Sequence, residues 1–76
     1  MSKADSLELV VCVANEGYEA SLERRKIYVA LSDAGAARHG LLRVIDESGD
    51  DYLYPRALFH PIVLSPSLTK AVLAAA

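Results

Sequence analysis

Four carboxylates fall within six residues at Asp46, Glu47, Asp50 and Asp51. Together they carry enough oxygen for a weak Ca²⁺ or Mg²⁺ site, but their spacing fits no EF-hand loop. Acid–base chemistry by a carboxylate pair needs one member buried, so that its pKa rises. A hairpin tip is expected to leave all four in water, so this turn reads as a solvated acidic hairpin or a docking surface for a basic partner, with no metal site. The positive counterpart is Arg24-Arg25-Lys26, which Arg38 and His39 are expected to join in space. Such a cluster suits anion or nucleic-acid contact as well as plain solubility. Cys12 with His39 or His60 is the only nucleophile pair available. Cys12 sits in an apolar segment, where burial raises a thiol pKa and makes it inert. No Gly-rich phosphate loop, HExxH motif or Ser-His-Asp signature is present, and no catalytic residue is assigned.

The aromatic side chains Tyr18, Tyr52, Tyr54 and Phe59 are the best candidates for binding, because aromatics are over-represented among interface hot spots. Alternation puts Tyr52 and Tyr54 on one face of a strand and Leu53 on the other. If Leu53 points to the core, both tyrosines line an outer groove beside Tyr18. If the tyrosines point inward, they are core residues with hydroxyls at the rim.

The elements that must position these residues follow from short-range signals. Leu7–Ala14 is β-branched and apolar on both alternating sets, which predicts a first strand covered on both faces for part of its length. Asn15–Ser21 has turn formers and charges without periodicity and reads as an excursion loop. Lys26–Leu31 resumes the β pattern. In Ser32–Gly40, Asp33 is a helix cap, small residues follow, and Gly40 suits a left-handed stop, so one helical turn is predicted. Leu41–Asp46 and Asp51–Tyr54 form a hairpin whose turn uses Gly49. Pro55 ends that strand, Arg56–Phe59 makes a tight turn, and His60–Leu64 returns as a fifth strand with Pro61 at an edge. Ser65 as cap and Pro66 at the first helical position predict a C-terminal helix over 65–76, with a frayed tail as the alternative. Leu68, Val72 and Ala75 would share a face that could dock on the sheet.

Seventy-six residues allow one small core and no deep multi-residue active site. An apolar content of 53% is high for this length and leaves apolar surface for a partner or a homodimer. The net charge of −2 offers no general attraction to phosphate backbones. A single cysteine allows no internal disulfide and suits a reducing compartment. The longest apolar run, Leu9–Ala14, is too short for a signal peptide or membrane span. A cytoplasmic protein without membrane contact is expected.

Five short strands, a long first loop, a hairpin, and Tyr54-Pro55-Arg56-Ala57-Leu58-Phe59 before the last strand resemble an SH3-like barrel. Ser21–Tyr28 resembles the diverging turn that leads into the second SH3 strand. The chain also resembles a group of small bacterial proteins that share NEGYEASLE (here Asn15–Glu23), Lys26–Tyr28, His39–Gly40 and RVIDESG-D/E-DYLYP (here Arg43–Pro55). The resemblance implies one mainly β domain over 1–76: a five-stranded, partly open SH3-like barrel over about 7–64, one short helical turn and a C-terminal helix. It implies no activity. That group carries glycine where Arg25 stands, so either the turn accepts right-handed geometry or Arg25 is strained. The absence of tryptophan departs from the aromatic groove that SH3 domains use for PxxP ligands.

The expected function is a non-catalytic protein-interaction module without cofactor. In this reading, Tyr18, Tyr52 and Tyr54 beside Glu47, Asp50 and Asp51 hold a basic or extended segment of a protein partner. The alternative is a nucleic-acid-binding domain using Arg24, Arg25, Lys26 and Arg38.

Overall fold

The computed structural model describes residues 7–75. Along the chain run strand β1 (Leu7–Cys12), β2 (Ile27–Leu31), the short helix α1 (Ala34–Ala37), β3 (Leu41–Ile45), β4 (Asp51–Pro55), a 3₁₀ turn (Arg56–Leu58), β5 (Phe59–Pro61) and helix α2 (Pro66–Ala75). The strands form one antiparallel sheet in the order β4-β3-β2-β1-β5. The mainly β architecture, the helical turns and the terminal helix follow the sequence expectation. The sheet is open, because its two outer strands, β4 and β5, make no ladder with each other.

Register places the core. Val10 stands opposite Tyr28, Ala30 opposite Val44, and Leu42 opposite Tyr54. Residues directly opposite share a face, so Val10, Cys12, Tyr28, Ala30, Val44 and Tyr54 form a single buried layer with Phe59. The reverse face is apolar too. There Leu9 and Val29 are opposite one another and buried, while Leu7, Ile27 and Leu53 are exposed. The two-sided apolar pattern of β1 is thereby accounted for.

Local chemistry fixes the turns. Asp33 caps α1 by accepting from the Ala36 N–H at 3.0 Å, and Gly40 and Gly49 take positive φ where the chain reverses. The Ser65 hydroxyl accepts from the Leu68 N–H at 3.2 Å at the start of α2. This helix has no buried residue and leaves Leu68 half exposed, so Leu68 does not dock in the core. Ala76 lies outside the described residues. Strand β5 is shorter than expected, and Val63 lies in solvent. Strand β1 ends at Cys12 because the next two N–H groups, of Val13 and Ala14, both turn toward the Leu58 carbonyl.

The long β1–β2 connection is more ordered than its aperiodic sequence implies. The Leu22 N–H donates to the Tyr18 carbonyl at 2.9 Å and the Asn15 amide donates to the Leu22 carbonyl at 3.0 Å. These bonds drive the Leu22 side chain into the core, where it is 1% exposed. At the end of the loop, the Arg25 N–H reaches the Cys12 carbonyl at 2.7 Å, and the Cys12 N–H reaches that of Lys26 at 2.9 Å. Closing that pair of bonds puts Arg25 at φ 73°, the left-handed region. Of the two alternatives for this turn, strain at Arg25 is the one found.

An L-residue in that region costs about 1–2 kcal/mol, while glycine costs about 0.5–1 kcal/mol of chain entropy. Arg25→Gly should therefore raise stability by about 0.5 kcal/mol, a melting-point gain of roughly 2–4 °C. Arg25→Val, β-branched in the same conformation, should lower stability by about 1 kcal/mol or more. Thermal melts followed by circular dichroism decide; equal losses in both variants would show that φ is not the cost.

Candidate protein-binding cleft

The hairpin turn between β3 and β4 is built on Asp46. Its backbone N–H donates to the Asp50 carbonyl and its own carbonyl accepts from Gly49, both at 3.0 Å. One carboxylate oxygen accepts from the Ser48 N–H at 2.8 Å and the Ser48 hydroxyl at 2.6 Å. The other accepts from the Tyr54 hydroxyl at 2.5 Å. Asp46 is only 7% exposed, which corrects the expectation that all four acids of this turn are solvated. The Asp-x-Ser spacing of a side-chain-stabilised turn was the available signal. Burial pushes the Asp46 pKa up, but the hydrogen bonds from Ser48 and Tyr54 outweigh burial and hold it below the ordinary aspartate range.

Glu47 makes the second anchor. Its N–H donates to the Ser21 carbonyl at 3.1 Å, tying the hairpin to the β1–β2 loop. Its carboxylate pairs with the Lys26 ammonium at 2.6 Å and accepts from the Tyr28 hydroxyl at 2.5 Å. The Tyr28 hydroxyl in turn accepts from the Glu23 N–H at 2.8 Å. The Lys26 hydrogen bond is the main reason the Glu47 carboxyl stays below its usual range, followed by that of Tyr28. Burial, with the same carboxylate behind it, pushes the Tyr28 phenol well up.

Above the Asp46 anchor lies a cleft of about 410 Å³, lined by Tyr18, Tyr52, Tyr54, Leu53, Ser48 and Asp46. Tyr18 and Tyr54 meet edge to face with ring centroids 5.2 Å apart. Tyr52 and Tyr54 share the core face, as alternation requires, yet differ in exposure. Tyr54 is buried against Phe59, so it is a core residue with its hydroxyl at the rim, whereas Tyr52 is 51% exposed. The structure therefore brings Tyr18, Tyr52 and Tyr54 together. Of the acids, Asp50 is exposed and stands two residues before Tyr52, Glu47 is engaged by Lys26, and Asp51 by Arg43 at 3.0 Å. Sequence reasoning missed Ser48, Leu53 and the floor role of Asp46.

The basic cluster does not assemble as expected. Arg24 and Arg25 are exposed and Lys26 is held by Glu47, but Arg38 follows α1, at the other end of the five-residue β2. That separation is about 16 Å of strand. His39 lies at that far end too, with its ring bonded to the Gly35 carbonyl. Cys12 is fully buried, its pKa raised chiefly by burial, and its thiol donates to the Ala14 carbonyl at 3.2 Å. Among the described residues, no group of three or more His, Cys, Asp or Glu side chains converges as metal ligands would.

A second, larger cleft of about 670 Å³ lies beside α1, with Leu31, Leu41, Leu42 and Ala37 in its walls. Its Arg43 is already bound to Asp33 and Asp51. The tyrosine cleft is the stronger candidate despite its size, because half-exposed aromatic surface stands there over a buried carboxylate. No helix among the described residues is long and apolar enough to cross a membrane. No family of proteins, no curated protein and no solved structure matches this chain.

The anchors make stability pH-dependent. Asp46 and Glu47 have folded pKa values below their unfolded ones, so their contribution is complete above the unfolded values, near pH 4, and is lost as pH falls through the folded values. Asp46→Asn should lower stability at pH 7 by about 1.5–3 kcal/mol, the usual worth of hydrogen bonds to a charged group. It should also flatten the fall in stability between pH 5 and pH 2. Urea unfolding across that range checks it; parallel acid limbs in both proteins would assign the pH dependence elsewhere.

Proposed function

We propose that this chain is a non-catalytic, SH3-like protein-interaction module of the bacterial cytoplasm. In this reading the tyrosine cleft holds an extended segment of another protein. The observation that carries the proposal is the pairing of half-exposed Tyr52 with Tyr18 over a floor formed by buried Tyr54 and Asp46. Aromatic rings give large contact area at low conformational cost, and such residues dominate interface energies. Asp50 is the acid best placed to meet a basic residue of the bound segment, since the carboxylates of Glu47 and Asp51 already have cationic partners within the chain.

The nucleic-acid alternative is weaker. With Lys26 neutralised and Arg38 and His39 remote, Arg24 and Arg25 alone would face phosphates from this turn. Two cations give a shallow salt dependence and little affinity.

Tyr52→Ala separates binding from folding, because Tyr52 is exposed where Tyr54 is not. Affinity capture from native lysate, with nuclease present, should recover a protein partner with wild type. The Tyr52→Ala and Tyr18→Ala chains should bind it roughly 30-fold more weakly, about 2 kcal/mol each, the size of a hot-spot loss. Tyr52→Ala should melt within about 0.5 kcal/mol of wild type, as surface changes do. A partner retained in full by Tyr52→Ala would refute the cleft, and partners released by nuclease would favour Arg24 and Arg25.

A further inference from the structure

Strand β4 ends the sheet, and the hydrogen-bond pattern shows which of its groups are unused. Arg56 N–H donates to the Gly40 carbonyl at 2.9 Å and Asp46 N–H to that of Asp50 at 3.0 Å, at opposite ends of the β3–β4 ladder. Antiparallel ladders alternate between residue pairs that exchange bonds and pairs that do not. Both end bonds fall on the even-numbered series, so Leu42 exchanges with Tyr54 and Val44 with Tyr52. The N–H and C=O of Asp51 and Leu53, and the C=O of Pro55, therefore point outward from the sheet. The outward groups of Asp51 and Leu53 take no part in the β3–β4 ladder, while the Pro55 carbonyl, at the N-cap of the 3₁₀ turn, accepts that turn's first bond and keeps a second lone pair. Leu53 is an exposed leucine at the centre of this row. Free edges of this kind template strand addition unless they are covered.

The charges along the edge select the occupant. Asp50 precedes β4 and Arg56 follows it; both are exposed, and neither forms an ion pair among the described residues. A strand added antiparallel must bring a cation to Asp50 and an anion to Arg56, with an apolar residue between them. That order is the order of β4 itself. The geometry points to a second copy of this chain as the occupant, paired β4 to β4 about a two-fold axis through Leu53. Leu53 of each copy then exchanges both backbone bonds with its symmetry mate. Asp51 N–H donates to the Pro55 carbonyl of the other copy, and Asp50 stands opposite its Arg56 on the same face. The interface is self-complementary, as a two-fold dimer requires. Proline lacks an N–H, so Pro55 limits the ladder at each end to the single Asp51 N–H to Pro55 carbonyl bond.

The pairing shares β4 with the cleft, whose lining includes Tyr52, Leu53 and Tyr54, but Tyr18 lies in the β1–β2 loop, off the β4 edge, so Tyr18→Ala should weaken partner capture and leave the dimer intact. Sedimentation equilibrium of the purified chain at roughly 0.1–1 mM, where a small transient interface populates, should give twice the 8.2 kDa chain mass. Leu53→Lys should leave only monomer. Asp50→Arg and Arg56→Asp should each weaken the dimer about tenfold, since each puts like charges together at both symmetric contacts. The double variant Asp50→Arg/Arg56→Asp should return to within about threefold of wild type, because the opposed pair is restored with its signs exchanged. Amide exchange gives a fold-independent readout: the Asp51 and Leu53 N–H groups should be protected at high concentration and lose protection on dilution. A chain that stays monomeric throughout, a dimer untouched by Leu53→Lys, a double variant no tighter than the single ones, or unprotected Asp51 and Leu53 amides would each overturn the pairing. Monomeric chain whose β4 amides are protected only by a foreign peptide would overturn it in favour of a heterologous strand.

Discussion

Two core tyrosines from different strands end on two consecutive carboxylates: Tyr54 of β4 on Asp46, and Tyr28 of β2 on Glu47. The hairpin turn, the β1–β2 loop and the core meet at this pair of contacts. Adjacent residues of an extended chain point to opposite sides. Asp46 and Glu47 leave the strand for the turn at this point, which lets one carboxylate enter the layer under Tyr18 while its neighbour reaches the Lys26 side of the loop. A phenol buried without an acceptor costs a few kcal/mol. A carboxylate acceptor makes a shorter and stronger bond than a neutral one. The Asp46 carboxylate is itself supplied by Ser48 from within the turn, so neither partner is left unsatisfied, and among the described residues no buried side-chain nitrogen or oxygen lacks a partner.

The small size of the domain explains why polar anchors lie so near its core. A chain of this length buries about 60% of its unfolded surface, and its central layer holds only four large side chains with near-zero exposure, Leu22, Val10, Val44 and Cys12. Three aromatic rings extend that layer: Tyr28 and Tyr54 each meet Phe59 edge to face, at 6.3 and 6.2 Å. Tyrosine supplies nearly the packing volume of phenylalanine while carrying a hydroxyl that must be satisfied at the margin. The acidic turn satisfies it, and the cost of burying a carboxylate there is offset by the bonds it accepts.

Features set by neighbours in sequence were legible in the chain: the Asp33 and Ser65 caps, the positive φ of Gly40 and Gly49, and the break at Pro55. Strand positions followed from β-branched runs, with ends wrong where a distant carbonyl decides them, as Leu58 does for β1. Features set by pairing across the sheet were not legible. The aperiodic Asn15–Ser21 segment gave no hint that Leu22 would plug the core, because the bonds that aim it lie within a compact loop rather than a repeating element. The acids of the turn looked equivalent, yet register and turn geometry buried Asp46, tied Glu47 to Lys26, and left Asp50 in water. Likewise alternation joined Tyr52 to Tyr54 on one face, but only the cover given by Tyr18 and Phe59 made one of them core and left the other at the surface.

Preorganisation follows from the same contacts. The Tyr18 ring is seated on Tyr54, the Tyr54 hydroxyl is fixed by Asp46, and the loop carrying Tyr18 is held to the turn through Ser21 and Glu47. A ligand entering the cleft thus meets walls whose rotamers are already set, and ordering costs of about 0.5–1.5 kcal/mol per side chain fall mainly on Tyr52. The carboxylate at the floor already accepts three hydrogen bonds from Ser48 and Tyr54, so it contributes chiefly a fixed negative potential. Selectivity in such a cleft rests on shape and on the sign of charge near Asp50, and a segment that brings a carboxylate there meets repulsion without any donor to offset it.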